Sequence, residues 1–429
     1  MNKKLAIRSA IAVVLFGALF IGYNMIQKVS DFDPGTIATP GWIVAVEETD
    51  EGSQAVVFDA DGNERRSPGY QPKFQERDAV WNKKGDRVFF VADREDDTFH
   101  IFRWNLARDE VRRRTLDSRS KGTPFFGTTE LTGSEDLGLI TAGGRVLQFD
   151  PKEGSTRQLL PPMAREVGRS EDGGSVGQFD QLYERFGQSF KAAKWGKDRR
   201  WIAAVMQRAE GGQVLIVQSQ VIPEDATPEQ VGYYSLPHAI IAGERVDFDV
   251  NPKTGAIVFS VEGFDFPDPA NPPEAFVNEK GEVVRPFRNV VGFVDPDDPT
   301  KTPNRFSPSA PGMVVMAATP DDQTIFREPA VSPDGTRIAA VLGTTDENGL
   351  FAPGGLILMD LAEASGASGT GLLQGPVSSP SWHPDGNTIV FLMRDGARSI
   401  YTIARTGGEP KRVSDGKKNY SSVSFSPQS

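Results

Sequence analysis

The sequence reads as an all-β chain closed into a β-propeller, with seven blades and an N-terminal transmembrane helix. Three observations lead there. A phrase of alternating apolar residues, a tight turn and a second β-rich run recurs along the chain. Its clear copies recur at intervals that suit a four-stranded blade, and four-stranded sheets repeated every 40–50 residues or so are the mark of a propeller. The last strand-forming run stops at a turn whose second half is supplied by the N-terminal end of the body, so the two ends complete one blade.

The N-terminal element comes first in the chain. Lys3, Lys4 and Arg8 precede an apolar run, Ala10 to Ile26, that carries no charge. A helix over about 9–26 approaches the roughly 20 residues that cross a bilayer. The segment Gly22-Tyr23-Asn24-Met25-Ile26-Gln27 lacks the small-residue pattern of a cleavage site, so residues 1–30 read as an uncleaved signal anchor. Basic residues before the span, with Asp31 and Asp33 after it, place the remainder outside the cytoplasm, periplasmic or on the cell surface. Residues 31–40 form a short linker and 41–429 the propeller.

The repeat is plainest in Ala330-Val331-Ser332-Pro333-Asp334-Gly335 and Ser381-Trp382-His383-Pro384-Asp385-Gly386, each followed by an apolar run. Related phrases surround Gly85, Asp198 and Gly255. Pro presets φ for a turn, while Asp-Gly supplies a side-chain acceptor and a residue at ease with positive φ. Gly85, Pro333, Asp334, Gly335, Pro384, Asp385 and Gly386 are therefore structural turn residues. A degenerate copy lies near Asp136; if Leu131–Phe149 forms no blade of its own, the ring has six. Strand one of the closing blade comes from Ser422–Pro427, its second from Trp42–Val46 and its third from Ala55–Phe58. Closure of this kind leaves no open edge between the first and last blades. Two insertions, at about 161–190 and 262–322, interrupt the spacing. In the first, Phe179, Leu182, Tyr183, Phe186 and Phe190 follow helical steps; the second is rich in Pro and Asp. Long loops on a rigid scaffold frequently carry function.

The Trp382-His383-Pro384-Asp385-Gly386 phrase, the strand at Ile400-Tyr401 and the hairpin Gly407-Gly408-Glu409-Pro410-Lys411-Arg412 resemble the TolB-type propeller repeat, a WD40-like repeat of the PD40 kind. The resemblance is strong over Phe326–Ser429 and recognisable near Gln75–Leu116 and Lys191–Val205. That family usually has six blades, and a seventh departs from it. The resemblance implies a cell-envelope role and capture of a protein or peptide at a channel mouth.

Composition narrows the chemistry. With 47 Lys plus Arg against 58 Asp plus Glu, the net charge of −11 is a poor match for nucleic acid. The absence of Cys removes disulfides, thiolate metal sites and a thiol nucleophile. Three His, His100, His238 and His383, lie far apart: the first in an alternating strand, the second in a loop after Pro237, the third at a repeat turn. No metal site and no cofactor follow from them, although the Asp-rich insertion offers carboxylates to calcium. Asp59-Ala60-Asp61-Gly62-Asn63 lacks the Gly and Glu positions of an EF-hand and reads as a hairpin turn. Gly173-Gly174-Ser175-Val176-Gly177 matches G-x-S-x-G, but no strand precedes it, so it reads as a loop. Arg112, Arg113 and Arg114 suit a solvated outer strand.

One constellation comes from the geometry of the repeat. Four residues before the last aromatic or apolar position of each inner strand stand Arg77, Lys191, Arg327, Ser378 and Ser421, with Asp78 and Glu328 beside the first and third. A mixed-charge ring at a channel mouth suits a peptide or acidic ligand. Arg77, Asp78, Lys191, Arg327 and Glu328 are the candidate binding residues; no catalytic residue is assigned. The function expected is a membrane-anchored, extracytoplasmic module that binds a protein or peptide. The alternatives are a hydrolase or lyase acting on a carbohydrate or peptide through channel carboxylates, and a structural spacer.

Overall fold

The computed structural model describes residues 39–133, 135–162, 183–222, 224–225, 227, 236–266, 272, 276–285, 287–296, 313–319, 324–346, 348, 350–361 and 369–427. Among them the strands form seven antiparallel sheets. Strands are lettered A to D from the axis outward. Blade one joins Asn419–Phe425 as strand A to Ile43–Glu48, Ser53–Phe58 and Glu64–Arg66. Thus both ends of the chain do build one blade: Ile43 pairs with Phe425 on one side and Phe58 on the other.

Blade two runs through Glu76–Trp81, Arg87–Ala92, His100–Asn105 and Glu110–Arg113. Blade four runs through Ser189–Trp195, Trp201–Gln207, Gln213–Ser219 and His238–Gly243, and blade five through Arg245–Val250, Ile257–Glu262, Asn289–Val294 and Met313–Thr319. Blade six comprises Ile325–Val331, Arg337–Thr345, Phe351–Asp360 and Thr370–Gln374. Blade seven comprises Val377–Trp382, Thr388–Asp395, Ala397–Ala404 and Lys411–Arg412.

Blade three has three strands, Gly138–Ala142, Arg145–Phe149 and Thr156–Leu160. In place of strand A, the segment from Lys121 to Phe125 makes two bridges, Lys121 to Ala142 and Phe125 to Leu139. The strand-A turn expected near Asp136 is instead a helical turn, Thr129–Thr132, whose N-terminus is capped by the Thr128 hydroxyl accepting from Leu131 N. The blade exists, so the ring is of seven.

The core is divided by the blades. Seven hydrophobic clusters lie one between each pair of neighbours. Val88, Phe90 and Trp104 pack on Val44 and Val57 between blades one and two. Phe89 packs on Phe126 and Phe149 between two and three, and Phe391 on Leu356 between six and seven. Tyr420 and Phe58 join Val390 and Ile400 between seven and one, which closes the circle. The alternation in each strand is what provides both faces with apolar side chains.

Two expectations need correction. Phe190 is a residue of strand A in blade four and not of a helical face; Tyr183 is buried and packs edge-on against it, with its hydroxyl 3.1 Å from Gln218. The expected helical residues Phe179 and Leu182 lie outside the described residues, as do the G-x-S-x-G segment and the anchor at about 9–26. His238 opens strand D of blade four and is nearly buried there, opposite Val217. Among the described residues no helix is long and apolar enough to cross a membrane.

Candidate functional site

Strand A of each four-stranded blade lines the axis, and the repeat turn after it marks one face of the ring, the A–B-turn face. The turns behave as their residues require. Gly85, Gly335 and Gly386 sit at φ of 66°, 71° and 70°. The Asp334 carboxylate accepts from Thr336 N and from the Ser332 and Thr336 hydroxyls, and these bonds hold it below the usual carboxylate range although burial opposes them. Asp385 likewise accepts from Asn387 N.

At the opposite end of strand A lie the sequence-predicted charges. They fall at β-bulges: the register shifts between Arg77 and Val80, Phe190 and Ala192, Arg327 and Ala330, and Ser378 and Ser381. Asp78, Glu328 and Ser379, each following a predicted position, take positive φ of 52–55°. For residues with a Cβ such a backbone is strained by about 1–2 kcal/mol, and bonds across the blade seams offset the strain. Glu328 N donates to Asp247 at 3.2 Å, and Ser379 N donates to Glu328 at 2.5 Å. Each carboxylate therefore holds the bulge of the next blade. Burial pushes the Asp78 and Glu328 carboxyls up; Arg77 opposes this at Asp78 and the Ser379 N–H opposes it at Glu328.

The predicted cations occupy different surroundings. Arg77 stacks over Phe99 at 3.8 Å and lies 3.7 Å from Asp78. Arg327 repeats that arrangement, 4.0 Å over Phe351, with Glu262 bound to its guanidinium. Lys191 is exposed on strand A of blade four. The sequence did not single out Lys194, three residues on, which reaches the axis. Its Nζ lies 2.8 Å from Asp249 and within 6 Å of the Phe125 and Phe248 rings. The other Asp249 oxygen accepts from Val331 N at 2.9 Å. The alternation of strand A is the signal that could have found it, because Lys194 falls between the buried Ala193 and Trp195 and so belongs to the strand's other face.

Lys194, Pro329 and Pro380 line two cavities along the axis. The smaller, about 310 Å³, opens among Asp247, Glu328 and Ser379 at the bulges. The larger, about 810 Å³, opens on the A–B-turn face. Its wall is mixed: Pro252, Pro333, Pro384 and Pro427 with Trp382 and Phe425 alternate with charged and hydroxyl side chains, among them Glu130, Asp249, Asp334 and Asp385. Trp382 is fixed by its ring N–H, which donates to Ala330 O at 2.9 Å. His383 stands edge-on to Phe425. At the rim, Lys253 pairs with Glu130. Lys83 donates to Gly133 O and Glu135 O; burial, with Arg199 nearby, lowers its pKa to about 8.

The remaining candidates are accounted for locally. Asp59 turns into its own hairpin, accepting from Asp61 N and Asn63 N. Arg112 and Arg113 lie on the outer strand of blade two, paired with Glu110 and Glu95. His100 is buried against Asp96 and Thr115. Among the described residues no group of three or more His, Cys, Asp or Glu is arranged to hold a metal ion.

No family model and no curated protein matches the chain. Solved structures similar to it include TolB from Acinetobacter baumannii, with 10% identity and a TM-score of 0.47 over 94% of this chain and 70% of that one. The tricorn protease has 12% identity and a TM-score of 0.49 over 91% of this chain and 36% of that one. An oligogalacturonate lyase in complex with manganese has 11% identity and a TM-score of 0.48 over 88% and 86%. The seven-blade ring stands on its own sheet topology, and no activity is transferred from these proteins.

Proposed function

We propose that this chain is a membrane-anchored, extracytoplasmic binding module of the cell envelope that holds a protein or peptide segment in its axial channel. The observation that carries the reading is the 810 Å³ cavity walled by prolines, Trp382 and Phe425 with Lys194 and Asp249 at its waist. Rigid proline and aromatic surfaces interleaved with polar groups suit a segment of polypeptide, which offers both apolar side chains and backbone donors and acceptors, and little side-chain entropy is lost on binding. A hydrolase or lyase needs channel carboxylates available to substrate. Asp247, Asp249 and Glu328 each accept a backbone N–H of the following blade, Asp334 and Asp385 accept from their own turns and Glu130 pairs with Lys253, so each carboxylate on the channel serves a structural bond. Arg77, Lys191 and Arg327 lie at the bulge end and act there as a secondary, charged rim.

The test is position-dependent photocrosslinking in intact membranes. A photoreactive residue at Lys253, on the cavity rim, is expected to capture a protein partner that the same residue at Lys411, on an outer strand, does not. Lys194→Glu is expected to abolish that product. Equal capture from both positions, undiminished by Lys194→Glu, overturns the channel as the site.

A further inference from the structure

Both ends of the described chain lie on the A–B-turn face. Thr39 donates to Gly85 O in the turn of blade two, and its hydroxyl is 3.0 Å from that of Ser426. Ser426 N in turn donates to Trp42 O. This is forced by the closure of blade one, because the break in that blade falls between strands A and B. The apolar run ends at Ile26, so twelve residues, 27–38, separate it from Thr39. Fully extended, they reach about 40 Å.

That length discriminates between the two faces. To bring the opposite face to a bilayer, the tether would run from the inner strand across the blade, about 15 Å for three strand spacings, and then along it, about 20 Å for six residues. Nearly the whole reach would be spent before the membrane was met. The A–B-turn face needs none of it.

The same face carries an apolar tip far from the tether. Strand C of blade four ends at Ser219 and strand D begins at His238, and the connection leaves and returns at this face. Val221, Ile222 and Leu236 are exposed there, at 53%, 45% and 41%. Gln220 N donates to Arg200 O, which sets the tip beside the turn of its own blade. Lys84 and Arg200 are exposed on turns of the same face, as is Lys253, which pairs with Glu130. Glu224 and Asp225 are exposed beside Ile222, so the apolar tip sits among charges of both signs, which matches a zwitterionic headgroup layer above the acyl chains.

We propose that the A–B-turn face lies against the phospholipid surface, tethered through blade one and seated through Val221, Ile222 and Leu236 of blade four. The larger cavity then opens toward the bilayer, and its occupant enters from the membrane side. The inference rests on the membrane-anchor reading, and the experiment separates the two. Because the chain has no Cys, single-cysteine variants label cleanly. The full chain carrying Ile222→Cys or Leu350→Cys is coupled to an environment-sensitive fluorophore and reconstituted in liposomes bearing a headgroup nitroxide. Leu350, 64% exposed, sits between strands B and C of blade six on the other face. Loss of fluorescence is expected at 222 and none at 350; adding Val221→Asp and Leu236→Asp to the Ile222→Cys chain restores the signal. Equal signals from a chain that floats with the liposomes overturn the seating while the anchor stands. A chain that does not float overturns the anchor and the seating with it.

Discussion

Glu76 is the most informative single residue in the ring. It is fully buried at the seam of blades one and two, where the closing blade meets its neighbour. Its carboxylate accepts from Ala55 N at 2.9 Å, from the Ser67 hydroxyl at 2.7 Å and from Arg94 Nε at 2.6 Å. Arg94, itself only 8% exposed, also donates to Pro68 O and to Ser67. Glu76→Ala leaves a buried guanidinium without its counter-charge, which costs about 3–5 kcal/mol. It also leaves the Ala55 N–H unpaired, which adds about 1–3 kcal/mol. The double variant Glu76→Met, Arg94→Met removes both charges and keeps only the second cost. The expected result is therefore a double variant more stable than Glu76→Ala by about 3 kcal/mol. Urea unfolding followed by tryptophan fluorescence reads this directly, because Trp81 and Trp104 are in the adjoining cluster. Equal losses in the single and double variants would refute the charge-pair account.

Two further outcomes follow from the turns and the rim. Gly335→Ala is expected to cost about 2–3 kcal/mol, since positive φ is strained and the new Cβ would meet Asn251 Oδ1 at 2.5 Å. Gly62→Ala, with positive φ and open space around it, is expected to cost about 1 kcal/mol, and thermal unfolding of the two variants checks the difference. Lys83 is expected to titrate near pH 8, ahead of the exposed lysines, when followed by NMR of isotope-labelled lysine. A midpoint at the ordinary lysine value would mean that water reaches the site.

The repeat made the ring legible. Pro-Asp-Gly turns flanked by alternating apolar runs dictate hairpins, and hairpins at blade spacing dictate a propeller, so closure through Trp42–Val46 and Ser422–Pro427 could be read from local chemistry. Blade three was legible only in part. Its inner position is filled by Lys121–Phe125, a segment with two bridges and no strand alternation, so periodicity has nothing to detect. The site was less legible for a different reason. Alignment located the bulge positions, but whether a charge faces ligand or latches a blade depends on partners distant in sequence. Arg327 meets Glu262, and Glu328 meets Ser379 and Asp247. Likewise, nothing local to Glu76 announces that Arg94 and Ala55 will converge on it.

The division of labour along strand A follows from ring geometry. Seven blades meeting at an axis bring backbone N–H groups of adjacent inner strands too far apart to pair with one another, yet too close to water-poor walls to be left alone. Carboxylates bridge that gap at the bulge end, through Asp247 and Glu328, and at mid-strand through Asp249. At the A–B-turn end Ser332, Asp334 and Asp385 satisfy their own turns, and amide and ammonium side chains bridge neighbouring turns: Asn251 Nδ2 donates to Gly335 O at 2.8 Å and Lys83 to Gly133 O. The larger cavity lies there, and proline and aromatic rings share its wall with polar side chains. Carboxylates thus close the ring at the bulge end, while the turn end leaves Pro333, Pro384, Trp382 and Phe425 facing the larger cavity beside charged side chains.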